Sequence, residues 1–253
     1  MQTDIRKALF GVVIAAASLV GGTSLALADD DAKAAEAAAA AVDLGPVANW
    51  NGAYIGLEGG YSAGADDWRA HNGFVTPLEY SGGLVGLNAS YLRQSGNLVL
   101  GVAGNANYAN ISRHQICPDD EFICKSKVSG LESVRGVLGY AAGRYLVYGT
   151  AGLGFEQVSQ HIIVAASPTY SADSNQNTQR GWVAGIGVDG AVSPRVSIGA
   201  QFLHYDFGYQ TTSFYKSTNG QLDGTLDTRQ ATDVFSAHVT FKLTADARHT
   251  PLK

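Results

Sequence analysis

The feature that most constrains this chain is a period of two. From Trp50 to Leu243, apolar residues return at every second position, in stretches of about ten residues divided by turn formers. The last stretch shows it best: Phe235, Ala237, Val239, Phe241 and Leu243 fall on one face, and Ser236, His238, Thr240 and Lys242 on the other. Such alternation gives a β-strand one apolar and one polar face. Seven earlier stretches repeat it, around Ala53–Tyr61, Val85–Tyr91, Leu98–Tyr108, Ser133–Leu138, Tyr145–Glu156, Trp182–Asp189 and Val196–Phe202. Eight is an even number, as an up-and-down barrel with both ends on one side requires. The expected fold is therefore all-β, an eight-stranded antiparallel transmembrane barrel over residues 50–243.

A soluble barrel turns its apolar face inward, whereas a membrane barrel turns it to lipid and keeps polar groups in the lumen. Glycine and charge share a face here, Gly56 with Glu58 and Gly187 with Asp189, so small residues make room for ionised ones. Glu58, Arg135, Glu156, Asp189 and Lys242 are the expected lumen charges, paired with one another because lone buried charges are costly. Aromatic residues near strand ends suit interfacial girdles: Trp50, Tyr54, Tyr61, Tyr91, Tyr140, Tyr145, Trp182, Tyr205 and Phe207. Connections alternate in length. Short ones lie at Arg93–Asn97, Ala141–Arg144 and Ser193–Arg195, and long polar ones at Gly64–Ser81, Arg113–Lys127, Gln160–Gln179 and Gly208–Thr232. Short periplasmic turns and long outer loops are the outer-membrane arrangement.

The N-terminus reads as an export signal. Arg6 and Lys7 precede an apolar run from Ala8 to Val20, and Ala26-Leu27-Ala28 offers the small residues of a cleavage site. Cleavage is expected after Ala28, making residues 1–28 the signal peptide. Residues 29–49, rich in Ala and acidic residues, read as a periplasmic linker, and 244–253 as a periplasmic tail. No later apolar run approaches the roughly 20 residues of a helical span, but a closed barrel can cross a bilayer without one.

In an exported chain Cys117 and Cys124 are expected to pair and staple a loop. His71, His114 and His161 fall in the expected outer loops, where they offer haem or metal ligands only if they cluster; no H-x-x-x-H spacing joins them, and no cofactor or metal is expected. Gly185–Gly190 satisfies G-x-G-x-x-G but lies within an alternating strand, without the following helix a dinucleotide site needs. Gly60-Tyr61-Ser62-Ala63-Gly64 satisfies G-x-S-x-G, and His204 with Asp206 could complete a triad, but Ser62 precedes loop-like residues rather than a helix. No enzyme is expected. A net charge of −5 with no basic block points away from nucleic acid.

Trp50-Asn51-Gly52-Ala53-Tyr54-Ile55-Gly56 resembles the W-x-G-x-Y-x-G opening of the small outer-membrane immunogenic proteins of alphaproteobacteria. Gly82–Asn88, Val134–Tyr140 with Leu146–Gly152, Gly181–Val188 and Tyr205–Gly208 resemble their later strands. The resemblance spans about residues 50–243. It implies an eight-stranded barrel of the OmpA-like type, porin-like or haem-binding in some members, abundant in the outer membrane and exposed to hosts. Two departures stand out. Acidic residues common on the family's third strand are Ala103 and Asn105 here. Thr244–Lys253 follows the final strand, where the family ends on an aromatic residue read by the barrel-assembly machinery; Phe241 is the substitute.

The expected function is an outer-membrane barrel that supports envelope integrity and presents loops outward. The alternatives are a narrow porin-like channel, and a surface adhesin or haem-binding protein. Expected partners are outer-membrane lipid and lipopolysaccharide, the assembly machinery, and host or surface ligands at the outer loops.

Overall fold

In a computed structural model, the described residues are 47–69, 75–116, 122–164, 171–173, 177–216 and 221–243. The expected signal peptide with its cleavage after Ala28, most of the linker, the tail, Cys117 and His71 lie outside them. So do the side chains of Cys124, His114 and His161, whose backbones run within strands.

Among the described residues nine strands form one sheet: β1 (Gly52–Arg69), β2 (Val75–Ser95), β3 (Leu98–Ile116), β4 (Phe122–Ala142), β5 (Tyr145–Val164), β6 (Ser171–Asp173), β7 (Asn177–Ser193), β8 (Val196–Lys216) and β9 (Leu222–Lys242). All pairings are antiparallel. Apart from β6 and β7, which each pair with β5 and β8, every strand pairs with its sequence neighbours, and β1 pairs with β9 over Tyr54–Arg69, which closes the barrel. The three-residue β6 and β7 occupy the same place between β5 and β8, so the wall has eight staves. Closure satisfies the backbone groups of both would-be edges, each of which would cost several kcal/mol, roughly, if left unpaired in lipid.

The expected staves are all present, but the expected loop lengths are corrected. Gly64–Ser81, Arg113–Lys127, Gln160–Gln179 and Gly208–Thr232 are largely strand, since β1 runs to Arg69, β3 to Ile116, β5 to Val164 and β8 to Lys216. The hydrogen-bonded ladder continues beyond the last lipid-facing residue. What stops there is the apolar alternation, because the outer face has left the bilayer. The short turns stand where expected. Gly96 and Gly143 open two of them with φ of 61° and 58°, the left-handed backbone that tight hairpins favour. In the third, Ser193 Oγ accepts from the amides of Arg195 (3.3 Å) and Val196 (3.0 Å).

The face pattern fixes the barrel's environment. Leu57, Val85, Val102, Val134, Leu153, Ile186 and Phe235 point outward and are exposed. On β8 this apolar row ends at Phe202; His204 and Asp206 follow on the same face. On β9 it ends at Phe235, followed by Asp233. A continuous apolar belt with polar residues beginning above it is the outer surface of a membrane barrel.

The residues expected in the girdles fall on both faces of the wall. Tyr61, Tyr91, Tyr140, Tyr145 and Trp182 are exposed on the outer surface, but Trp50, Tyr54, Tyr205 and Phe207 are buried inside. Parity explains it: Tyr54 alternates in step with Gly56 and Glu58, and Tyr205 and Phe207 with Leu203 and Gln201. Position near a strand end does not override the side on which a residue falls.

Candidate functional site

The interior is layered, and this corrects the expectation of a uniformly polar lumen. Toward the outer end lies an apolar layer that includes Leu84, Ile111, Leu131, Val183, Leu203 and Val234, capped by the stacked rings of Tyr205 and Phe207, 6.1 Å apart. At the periplasmic end a second apolar layer gathers Trp50, Tyr54, Leu92, Val99, Val137, Ala141 and Leu146. A polar network lies between them.

In this middle layer Glu58 accepts hydrogen bonds from Asn105 Nδ2 (2.8 Å) and Gln201 Nε2 (3.1 Å), and Gln201 Oε1 accepts from Arg135 Nη1 (3.1 Å). Ser133 donates to Asn105 Oδ1. Glu58 and Arg135 are therefore joined through a neutral amide rather than by the direct pairing expected. Asp189 Oδ1 meets His238 Nε2 at 2.7 Å. Lys242 belongs to the periplasmic mouth, where its ammonium donates to the Asn49 carbonyl at 2.9 Å. Glu156 sits farther out, across from Leu131 and Gln179. The five expected charges are thus spread over three levels.

Two glycines make this packing possible. A side chain at Gly199 would collide with Asp189 and His238, and one at Gly187 with the Tyr148 ring. The G-x-G-x-x-G run is accordingly a strand that yields space to lumen side chains.

Sequence reasoning missed Gln201, His238 and Asn88 as lumen partners, although their place on the polar face of their strands was legible. Asn105, marked only as a departure from the family's pattern, is Glu58's direct partner. What remains open in the layer is a cavity of about 50 Å³, lined among others by Trp50, Asn88, Arg135, Tyr148, Asp189 and His238.

The segment before β1 closes the periplasmic mouth. The Trp50 amide donates to Gln94 Oε1 (2.7 Å), the Ala48 amide to the Gly143 carbonyl (2.8 Å), and the Gln94 amide to Asn51 Oδ1 (2.8 Å). These bonds tie residues 48–51 to two separate hairpin ends and place the indole across the opening. Below it lies a pocket of about 410 Å³, lined by Trp50, Tyr54, Arg144, Pro194, Arg195 and neighbours.

Ser62, His204 and Asp206 do not form a catalytic site. Ser62 is buried on the lumen side and donates to the Gly82 carbonyl at 3.3 Å, while His204 and Asp206 face outward. His204 Nδ1 meets Asp233 at 2.6 Å, and Asp206 takes Arg229 at 3.1 Å and the Gly208 amide at 2.8 Å. Burial acts to raise the Asp206 pKa, but the Gly208 amide and the Arg229 guanidinium outweigh it and hold the carboxyl below its ordinary value. Among the described residues no cluster of His, Cys, Asp and Glu has the makings of a metal site.

The sequence profile of the family described as outer membrane protein beta-barrel domain matches residues 16–239. A 31 kDa outer-membrane immunogenic protein of Brucella melitensis is 28% identical over 175 residues, covering 63% of this chain and 72% of its own. A 25 kDa outer-membrane immunogenic protein of Brucella ovis is 25% identical over 203 residues, 80% of this chain and 92% of its own. Among solved structures, the outer membrane protease OmpT of Escherichia coli superposes with a TM-score of 0.50 at 11% identity, over 76% of this chain and 96% of that one. At that identity the likeness concerns the fold alone.

Proposed function

Because the chain belongs to the outer membrane protein beta-barrel family and is an outer-membrane protein, we propose that it is a non-conducting structural barrel. On this reading it supports the integrity of the envelope and holds its outer strand ends and loops at the cell surface. The observation that carries the reading is the sealed lumen. Buried apolar side chains gather toward both ends of the interior, and the cavity among the polar groups measures about 50 Å³, which supports a barrel without a continuous aqueous path, in keeping with the narrow interior of eight-stranded barrels.

The apolar belt puts the wall in contact with membrane lipid, and the polar residues directly above it suit contact with lipopolysaccharide headgroups. The chain would reach the membrane by export, with cleavage after Ala28, and be folded by the barrel-assembly machinery. A Cys117–Cys124 bridge would staple the connection between β3 and β4. The Brucella relatives are named as immunogenic, which supports exposure of the outer end to hosts. Ser62 and His204 lie on opposite faces of the wall, which supports a role without catalysis.

Planar-bilayer conductance tests the proposal. Folded, inserted protein is expected to give no discrete steps. Reproducible unitary steps would replace this reading with that of a narrow porin.

A further inference from the structure

The structure assigns a small-anion site to the polar chamber of the lumen, reached from the periplasmic mouth. The first ground is a set of unused donors. Trp50 Nε1, Asn88 Nδ2 and Arg135 Nε are buried, have no hydrogen-bond partner among the described residues, and belong to residues that line the same cavity of about 50 Å³. Trp50 and Arg135 are 2% and 3% exposed. Buried donors left unsatisfied are costly, more so on a cation, so their gathering around one space calls for an acceptor there.

The second ground is the state of the nearby acids. Glu58 already accepts from Asn105 and Gln201, and Asp189 already meets His238. Arg135 donates to the neutral Gln201 and, among the described residues, has no carboxylate in direct contact, so its charge faces the chamber; the one carboxylate lining that space, Asp189, is engaged by His238. The third ground is the approach. The mouth pocket below Trp50 is lined by Arg144 and Arg195 and, among the described residues, by no acidic one. Trp50, Tyr54 and Ser197 line both spaces, so the indole is the partition between a basic vestibule and the chamber. A basic, partly enclosed mouth concentrates anions at its opening. The volume admits only a few water-sized occupants, which fits a halide-sized inorganic anion and excludes organic solutes. The inference does not depend on the envelope reading, since a dead-end site needs no conduction.

The chain has three tryptophans, so Trp68→Phe with Trp182→Phe leaves Trp50 as the only indole. Bromide, a heavy-atom quencher, is titrated into this full-length folded protein at constant ionic strength. The expected result is saturable quenching, with chloride raising the bromide midpoint by competition. Arg135→Met is expected to weaken binding about tenfold or more, the loss of a charged hydrogen bond. Asn88→Leu, which leaves every charge in place, is expected to weaken it by roughly threefold. Linear quenching of equal slope in all three proteins would overturn the site. So would saturable quenching that neither variant alters. If Arg135→Met does not reach the heat-modifiable folded form, Asn88→Leu decides: an unchanged midpoint overturns the proposal.

Discussion

The two ends of the barrel interior are both sealed by apolar side chains, yet they are built differently. The outer seal is made wholly by the wall, from inward residues such as Leu84, Ile111, Leu131, Leu203 and Tyr205 on the staves themselves. The periplasmic seal is completed by Trp50, which precedes β1 and is held by hydrogen bonds to Gln94 and, through Ala48, to Gly143. The first cannot be removed without unmaking the wall. The second is a stopper set into a finished opening. Beneath the stopper lies a solvent-sized pocket with two arginines, whereas the outer seal has more wall above it, because the strands continue to Arg69, Ile116, Val164 and Lys216.

The comparison predicts unequal costs for similar truncations. Tyr205→Ala is expected to have the largest effect. The ring is fully buried, stacked on Phe207, and enclosed on every side, so its loss carries both the transfer term and a cavity that cannot refill, about 3–5 kcal/mol as for other core aromatics. Urea unfolding in detergent, followed by the heat-modifiable mobility shift, measures it. Trp50→Ala removes a larger side chain yet is expected to cost less, about 2 kcal/mol, because the space it leaves joins the mouth pocket and fills with water, which lowers the cavity term. An equal or greater loss at Trp50 would mean that the N-terminal segment is part of the barrel's core rather than a stopper.

How much of this was legible follows from what a period of two encodes. It assigns every wall residue to one of two faces, so the eight staves, the belt and the inward set Glu58, Arg135, Glu156, Asp189 and Lys242 can all be read from the sequence. It carries no information about height along the barrel. Leu203 and Gln201 share a face and differ by only one inward position, yet one seals the lumen and the other bridges Glu58 to Arg135. The pattern therefore does not show that the inward leucines and valines gather into two layers. Trp50 was misplaced because it precedes the first strand, where alternation has no hold on it. The long outer strands were hidden for the opposite reason. Outside the bilayer neither face must be apolar, so residues such as Thr211-Thr212-Ser213-Phe214-Tyr215 continue the ladder without the signal that marks it.

The smallest expected effect lies on the outer surface, at the bulge that helps to build the outer seal. Between Asp206 and Gly208 the β8–β9 register shifts, so Phe207 points inward while Tyr209, of the same parity, points outward. Gly208 adopts a φ of 64°, and its amide is held by Asp206 Oδ1. The Asp206 carboxyl titrates below its ordinary value of 3.8 despite partial burial, because the Gly208 amide and Arg229 favour the ionised form. A depressed folded-state value stabilises the folded protein above the unfolded value, and that stability is lost as pH falls through the folded one. The urea midpoint is therefore expected to hold from neutral pH to about pH 4 and to decline below it from this source. Arg229 is exposed, so its share is screened, and Arg229→Gln should leave the onset of the decline in place and make the decline only slightly smaller, ending at a slightly higher pH. Asp206→Asn should abolish this component while leaving the lumen untouched. A decline that persists unchanged in Asp206→Asn would place the acid sensitivity elsewhere in the barrel, and the outer seal would then owe nothing to the Asp206–Gly208 contact at the bulge that aims Phe207 into it.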